Sequence, residues 1–532
     1  QPAARVLLLN RSDAVTLKTI SSSLTESQTL FTIQWEKEQA EDFGFVKIDI
    51  LGNRSLAVIR DCLDAIYKNY NKKIDYQSWS PLHDAATQKL LSKGDTIGVF
   101  YVESPAMRQL QIKTGKGDFE HLVIHSSIIR PAANEYINEY IRRLKGGRFE
   151  YLHPKLDILK ETFGIMVYQE DVSKVAMEIA DFTPTEADEL RKILSKKHKQ
   201  KKVQDYKEKF IRQAAKNNVS AEICEKIWQM IQSFSGYSFC KPHSASYALV
   251  SFKSAYLRSH YPAEFMASVI SNQGGYYSTF AYISESRRMG LEVLMPDINK
   301  SVLHYYGIQK SIRVGFMQIK DLGAKSIQKI LKERIDNGLY QSFNDFLERV
   351  TLTENEISLL IKAGCFDELE PLYSRPQLLW LLKLYQKRKG DNLLCSDSIS
   401  VPDICEFSQK TRFDHEIDLF GMIISTHPLT LYKDKIEKIR YIPACDFKKY
   451  KGKKITAIGW YITGKVTGTR HEQLMEFSSF EDLTGIYEST FFPEAFDKFK
   501  FMLDRNRAFL LKGIIDCHYN AISLNIEKIT CL

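Results

Sequence analysis

The apolar residues of this chain change their spacing along its length, and no single fold serves both patterns. Between residues 56 and 305 they recur three and four apart: Val172, Val175, Ala176 and Ile179 form one such face, and Ile223, Ile227, Met230, Ile231 and Phe234 another. That is the period of helices buried along one side. Residues 441–532 instead read as strands over Ile455–Ile462, Leu474–Asp482, Gly485–Phe492, Ala508–Asp516 and Ile522–Thr530, with one helix near Glu494–Leu503. Helices and strands therefore occupy separate blocks, and 532 residues exceed what one core serves. The fold class this predicts is multidomain α+β.

Composition narrows the environment. With 44% hydrophobic and 26% charged residues the chain has the make-up of an ordinary globular protein. A net charge of +9 permits polyanion binding without requiring it. Nine cysteines, at 62, 224, 240, 365, 395, 405, 445, 517 and 531, never form a Cys-x-x-Cys pair. That argues against a zinc site and a disulfide framework and for a reducing compartment. No apolar run reaches bilayer-spanning length, so no membrane role is expected and the predicted location is cytoplasmic. The N-terminus, Gln1-Pro2-Ala3, lacks a Met start, and the expectation is a chain that begins inside a longer polypeptide.

The stretch with the clearest chemical content is Phe43-Gly44-Phe45-Val46-Lys47-Ile48-Asp49-Ile50-Leu51-Gly52. Val46, Ile48 and Ile50 alternate with Lys47, Asp49 and Leu51, as in a strand, and Gly52 stops it. Leu56, Ile59, Leu63 and Ile66 then predict an apolar helical face. Asp49 so placed, with Lys47 and Arg54 nearby, is a candidate ligand for a hard cation such as Mg²⁺. By itself a lone strand Asp is more often a structural hydrogen-bond acceptor.

Gln34-Trp35-Glu36-Lys37-Glu38 followed by Phe45–Gly52 resembles the end of the palm in bacterial DNA polymerase III alpha subunits, the C-family polymerases. The resemblance implies that Asp49 is the third of three catalytic, metal-binding carboxylates and that Lys47 handles phosphate. The first two stand on an Asp-x-Asp strand in that family, and no Asp-x-Asp occurs in these 532 residues. Glu36 and Glu38 have the spacing but lie just before the third carboxylate, so the missing pair is expected upstream of this chain.

The resemblance continues in order. It divides the chain into a partial palm (1–55), fingers (56–305), a helix-hairpin-helix region (306–370), a helical linker (371–440) and an OB-fold (441–532). In the fingers, Gly98-Val99-Phe100-Tyr101-Val102-Glu103-Ser104 is similar to the family's "GVFQxES", and Leu159-Lys160-Glu161-Thr162-Phe163-Gly164 to its "LKETYG". Ser126-Ser127-Ile128-Ile129-Arg130-Pro131 looks like the accessory, error-prone subunits. A cationic run, Arg191, Lys192, Lys196, Lys197, Lys199, Lys201 and Lys202, falls where the family has "LRRAMGKKK", facing triphosphate and DNA. Such cations draw a triphosphate and neutralise the leaving pyrophosphate, although a basic run is also an ordinary solvated face. Lys192 keeps the charge of the family's second Arg but not its planar fork. Phe234-Ser235-Gly236-Tyr237-Ser238-Phe239-Cys240-Lys241-Pro242-His243-Ser244-Ala245-Ser246-Tyr247-Ala248 resembles "FAGYGFNKSHAAAYA", which implies phosphate contacts by Lys241, His243 and Ser244 and joins Arg130 to them. Without the resemblance this is a loop between helices with Ser244 as its cap.

In the hairpin region, Ile319-Lys320-Asp321-Leu322-Gly323-Ala324-Lys325-Ser326 is the turn whose amides are candidates to hold a DNA phosphate, with Lys320, Gly323 and Lys325 as contacts. Asp321 stands where the family has the hairpin's first Gly, and its charge opposes phosphate. Residues 371–440 contain no clamp peptide of the type Gln-x-x-(Leu/Met)-Phe. Glu416-Ile417-Asp418-Leu419-Phe420 aligns instead with the helix before Thr426-His427-Pro428 and is expected to pack in a core, which leaves sliding-clamp binding open. The strand order of residues 441–532, with its turn at Leu483-Thr484-Gly485, predicts an OB-fold barrel. Lys453, Lys454, Lys465 and Arg470, with the aromatic Trp460 and Phe477, are its candidate contacts to a single-stranded template.

The function implied is template-directed nucleotidyl transfer to a primer end by two Mg²⁺ ions, with primer–template DNA, deoxynucleoside triphosphates and other replisome or damage-tolerance subunits as partners. The alternative is a non-catalytic DNA-binding or scaffold subunit that retains the fingers and OB modules, a reading supported by the missing Asp-x-Asp.

Overall fold

The computed structural model describes residues 5–9, 19–23, 29–33, 46–50, 53–129, 134–194, 200–233, 240–273, 275–390, 401–469, 473–503 and 507–532. The chain divides into two compact units, residues 1–57 and residues 58–532. The first holds β1 (Arg5–Leu9), β2 (Thr19–Ser23), β3 (Thr29–Ile33) and β4 (Val46–Ile50). β1 pairs antiparallel with β4, setting Val6 opposite Asp49 and Leu8 opposite Lys47, and β2 pairs with β3.

Helix α1 (Arg54–Tyr70) follows. Its buried stripe is Val58, Ile59, Cys62 and Ile66, whereas Leu56, expected on that face, is exposed. The stripe centres on Ile59–Cys62–Ile66, and Leu56 lies at its edge. Next come α2 (Ala85–Ser92), α3 (Pro105–Thr114), α4 (Phe119–Ile128) and α5 (Asn134–Leu144). Their starts are chemically specified. Asp84 accepts from the Thr87 amide, Ser104 from that of Met107 with Pro105 in the first turn, and Asp118 from that of His121. Each such cap contributes about 1 kcal/mol.

Helices α6 (Gln169–Ala180), α7 (Pro184–Leu194), α8 (Gln200–Lys216) and α9 (Ala221–Gln232) form a lobe with its own core of Val175, Ile179, Leu190, Phe210 and Trp228. The predicted faces of α6 and α9 are those that pack, with Phe234 of the second lying outside the described residues. Helices α10 (Lys241–His260), α11 (Pro262–Asn272) and α12 (Thr279–Arg288) return to the main core, where Phe252, Phe265 and Ile283 meet Leu110 and Ile124.

A small sheet, β5 (Glu292–Leu294), β6 (Tyr306–Ile308) and β7 (Ser311–Arg313) in the order β5-β7-β6, leads into α13 (Ala324–Asn337), α14 (Phe343–Arg349), α15 (Glu354–Lys362), α16 (Arg375–Gly390) and α17 (Gln409–Phe420). Leu419 and Phe420 are buried in that core, so the Glu416–Phe420 stretch packs as expected.

The last block is a closed barrel of β8 (Lys454–Gly468), β9 (Leu474–Glu481), β10 (Ile486–Phe491), β11 (Ala508–His518) and β12 (Ala521–Cys531), with α18 (Pro493–Phe499) between β10 and β11. The strand order is β10-β12-β11-β8-β9, and β10 and β12 pair in parallel while the other neighbours are antiparallel. This is the OB-fold that the order of strands predicts. The expected helix is shorter, since Lys500–Met502 tightens into a 3₁₀ turn. Gly513 sits at a register shift between β11 and β12, where a Cβ would lie 2.1 Å from the Asn525 carbonyl oxygen, so no other residue fits. Among the described residues no helix is long and apolar enough to cross a membrane.

Candidate functional site

Asp49 and Lys47 fall two residues apart on β4, a hydrogen-bonded strand. Arg130, Lys196, Lys197 and Arg470 lie outside the described residues. Arg191 and Lys192 end α7, and both reach back to one carboxylate. Arg191 donates to Asp188 through Nε and Nη2 at 3.0 and 2.7 Å and to the Gln169 side chain at 3.1 Å, and Lys192 Nζ lies 2.7 Å from Asp188. Bonds from Lys192 and Arg191 hold the Asp188 carboxyl below its ordinary range. Asp188 did not stand out in the sequence, although its place three and four residues before these cations is the spacing at which helical side chains meet. A phosphate arriving here competes with it.

The Lys241–Ser244 motif opens α10. The cap position is Cys240, which makes no side-chain hydrogen bond, so Ser244 is not the cap. Ser244 is buried, and its hydroxyl accepts a 2.7 Å bond from Ser127, joining α10 to α4. Lys241 Nζ donates to both Glu161 oxygens at 2.7 and 2.6 Å and lies 5.1 Å from the Tyr168 ring centre. The Lys241 amide donates to Glu170 at 3.2 Å. The His243 ring is 4.1 Å from that of Tyr247, which also meets Phe100 and Tyr101 at 5.2 and 5.0 Å. Tyr101 holds a left-handed backbone (φ 66°), an uncommon conformation for a bulky residue. Behind this surface, His125, Tyr140 and Tyr168 are buried with both imidazole nitrogens and both hydroxyls lacking a hydrogen-bond partner among the described residues. Burial, with a smaller contribution from His121, depresses the His125 pKa to about 3.

In the hairpin, Asp321 has φ 64° and Gly323 caps α13. The family's Gly at position 321 answers that left-handed backbone. Lys320, Gly323 and Lys325 are exposed, while the Lys320 amide is taken by the Leu419 carbonyl at 2.8 Å. On the barrel, Lys453 and Lys465 are exposed and Lys454 pairs with Glu527. Trp460 packs 6.1 Å from Phe280 of α12, within the contact between barrel and helices. Phe477, opposite Lys465 in register, is instead the half-exposed aromatic ring.

The barrel is fixed to the helices by buried charge. Fully buried Glu481 on β9 accepts from Ser284 at 2.9 Å and Arg288 at 2.7 Å and contacts His427 Nε2 at 3.0 Å. Burial alone would push this carboxyl up, and His427 and Arg288 more than offset that, holding it below its ordinary range. Arg288 also contacts Glu285, which bonds buried Arg258 of α10 at 2.6 Å. Arg258 and Arg288 overcome the effect of burial and lower Glu285 to about 2.

Comparison with known proteins shows what these geometries resemble. Residues 55–218 match the bacterial DNA polymerase III alpha subunit finger domain, and residues 290–378 match a helix-hairpin-helix motif. A DNA polymerase III subunit alpha of Saccharopolyspora erythraea is 31% identical over 92% of this chain and 44% of its own length. Residues 55–218 carry the alpha-subunit finger domain, and the chain as a whole is similar to bacterial DNA polymerase III alpha subunits. An error-prone DNA polymerase of Symbiobacterium thermophilum is 29% identical over 94% of this chain and 50% of its own. A Staphylococcus aureus DNA polymerase III subunit alpha is 30% identical over 96% and 48%. The chain thus spans about half the length of these curated relatives. Arg191 and Lys192 lie inside the alpha-subunit finger match, and Asp321 and Gly323 inside the hairpin match.

Proposed function

We propose that this chain works in template-directed DNA synthesis, contributing a palm strand (1–55), fingers (56–305), a hairpin region (306–370), a linker (371–440) and an OB barrel (441–532). The observation that carries this is its identity with alpha subunits over nine-tenths of its length, across both a helical finger block and the barrel beyond it. Arg130, Arg191, Lys192, Lys196, Lys197, Lys241 and His243 would draw the triphosphate electrostatically and neutralise departing pyrophosphate. Lys241 exchanges Glu161 for phosphate, and Arg191 and Lys192 exchange Asp188. Lys320, Gly323 and Lys325 would hold duplex backbone, and Lys453, Lys454, Lys465 and Arg470, with Phe477 in place of Trp460, a single-stranded template. Other replisome or damage-tolerance subunits would complete the assembly in the cytoplasm. The Ser126–Pro131 phrase favours error-prone synthesis.

Asp49 offers one hard oxygen ligand, and Mg²⁺ takes several. Among the described residues no group of three or more His, Cys, Asp or Glu side chains converges on a metal position. Asp49 and the other described residues do not make a complete metal site.

The test is primer extension with Mg²⁺ and all four nucleotides, with and without an added palm segment bearing an Asp-x-Asp strand. Synthesis that requires the segment and is abolished by Asp49→Ala is the expected result. Primer–template binding with no extension in either mixture would overturn it and favour a scaffold subunit.

A further inference from the structure

An open cleft of about 650 Å³ lies between the helical body and the barrel, lined by none of the nucleic-acid contacts named above. Its size is that of a small-ligand site, for which 300–1,000 Å³ is roughly typical. Arg108 of α3 and Glu488 of β10 form its floor, 3.4 Å apart. Both are anchored from behind: Arg108 donates to the Gly94 carbonyl at 3.2 Å and to Tyr277 at 3.3 Å, and Glu488 accepts from Ser479 at 2.6 Å. A carboxylate offers about four acceptor positions, so the Glu488 group retains capacity for a ligand. Ile112 and Ile522 supply apolar wall, and the exposed Lys93 and Lys448 stand at the rim without an ion-pair partner among the described residues.

Cations at the mouth, apolar walls and a fixed carboxylate on the floor match a nucleotide in their order. Phosphate meets the lysines, the base lies between the walls, and its amino group donates to the carboxylate, as the cytosine amino group does to Glu or Asp in DNA readout. We propose that this cleft binds one nucleotide unit, with Lys93 and Lys448 on its phosphate and Glu488 on the exocyclic amino group of its base. The unit comes either free or as part of a single strand. Because thymine has no exocyclic amino group, the cleft discriminates cytosine from thymine.

The test uses fluorescein-labelled oligo-dC and oligo-dT on the full chain, with dCMP and dTMP as competitors. Oligo-dC is expected to bind several-fold more tightly than oligo-dT. Glu488→Gln should erase that preference, and the rim pair Lys93→Glu with Lys448→Glu should weaken oligo-dC about tenfold. Lys433→Glu with Lys438→Glu, exposed lysines elsewhere, matches that change in net charge. Displacement by dCMP identifies a free nucleotide as sufficient, and its failure identifies the strand as the source. Equal binding of the two strands, or a rim double variant no weaker than the Lys433→Glu, Lys438→Glu control, overturns the proposal. None of these readouts depends on polymerase activity.

Discussion

His125 shows what a single residue contributes when its surroundings give it nothing to bond. Both ring nitrogens are buried and unpartnered among the described residues, and burial depresses its pKa from 6.5 to about 3. The unfolded chain therefore takes a proton below about pH 6.5 that the folded chain refuses until about pH 3. The sign follows: the unfolded state binds more protons in that window, so stability falls as pH falls, by up to about 1.4 kcal/mol per pH unit. His125→Phe removes the titration and two unsatisfied polar atoms while keeping a ring against Tyr140. It should match or exceed wild-type stability at pH 7 and flatten the decline between pH 6 and 4. Urea midpoints across that range check it, and an unchanged slope rules it out. Sequence could not reveal this residue, because burial of one histidine in a helix leaves no local pattern.

At the scale of elements, the sequence was most legible where period and cap chemistry agree. The five barrel strands fall where alternating residues put them, and the faces of α6 and α9 follow helical spacing. What local pattern missed was competition between elements. Trp460 reads as a surface aromatic on a strand, yet α12 claims it through Phe280; Ser244 reads as a cap, yet α4 claims it through Ser127. The hairpin turn lies between these cases. Its residues were visible, but the conformation at 321 was not. An Asp at φ 64° is tolerated at a cost that Gly avoids. Asp321→Gly loosens the unfolded chain but relieves that backbone, so folding stability should move by less than about 1 kcal/mol. Duplex DNA affinity should rise about threefold as one negative charge leaves the turn. Filter binding at low and high salt separates the two effects, since the gain must shrink as salt screens the charge. Equal affinity at low salt would show that phosphate does not approach this turn.

Across residues 58–532, the chain is one compact unit because buried charges tie blocks that could otherwise fold apart. The link runs from Arg258 through Glu285 and Arg288 to Glu481 and His427, so α10, which carries Lys241 and His243, is coupled to the barrel. Of these pairs only Glu285–Arg288, three residues apart on α12, is visible in sequence, since Arg288 and Glu481 stand 193 residues apart. Removing the acid leaves Arg288 and His427 buried without their shared partner, a loss of about 3–5 kcal/mol for a broken buried pair. Glu481→Ala should therefore do more than lower stability. It should release the barrel, giving two unfolding transitions where wild type gives one, and expose the connector between Phe420 and Lys454 to limited proteolysis. Glu481→Gln keeps the shape and two hydrogen bonds and should fall between. If Glu481→Ala unfolds in one step with the connector still protected, apolar contacts such as Trp460 on Phe280 hold the barrel, and the charges only set its register.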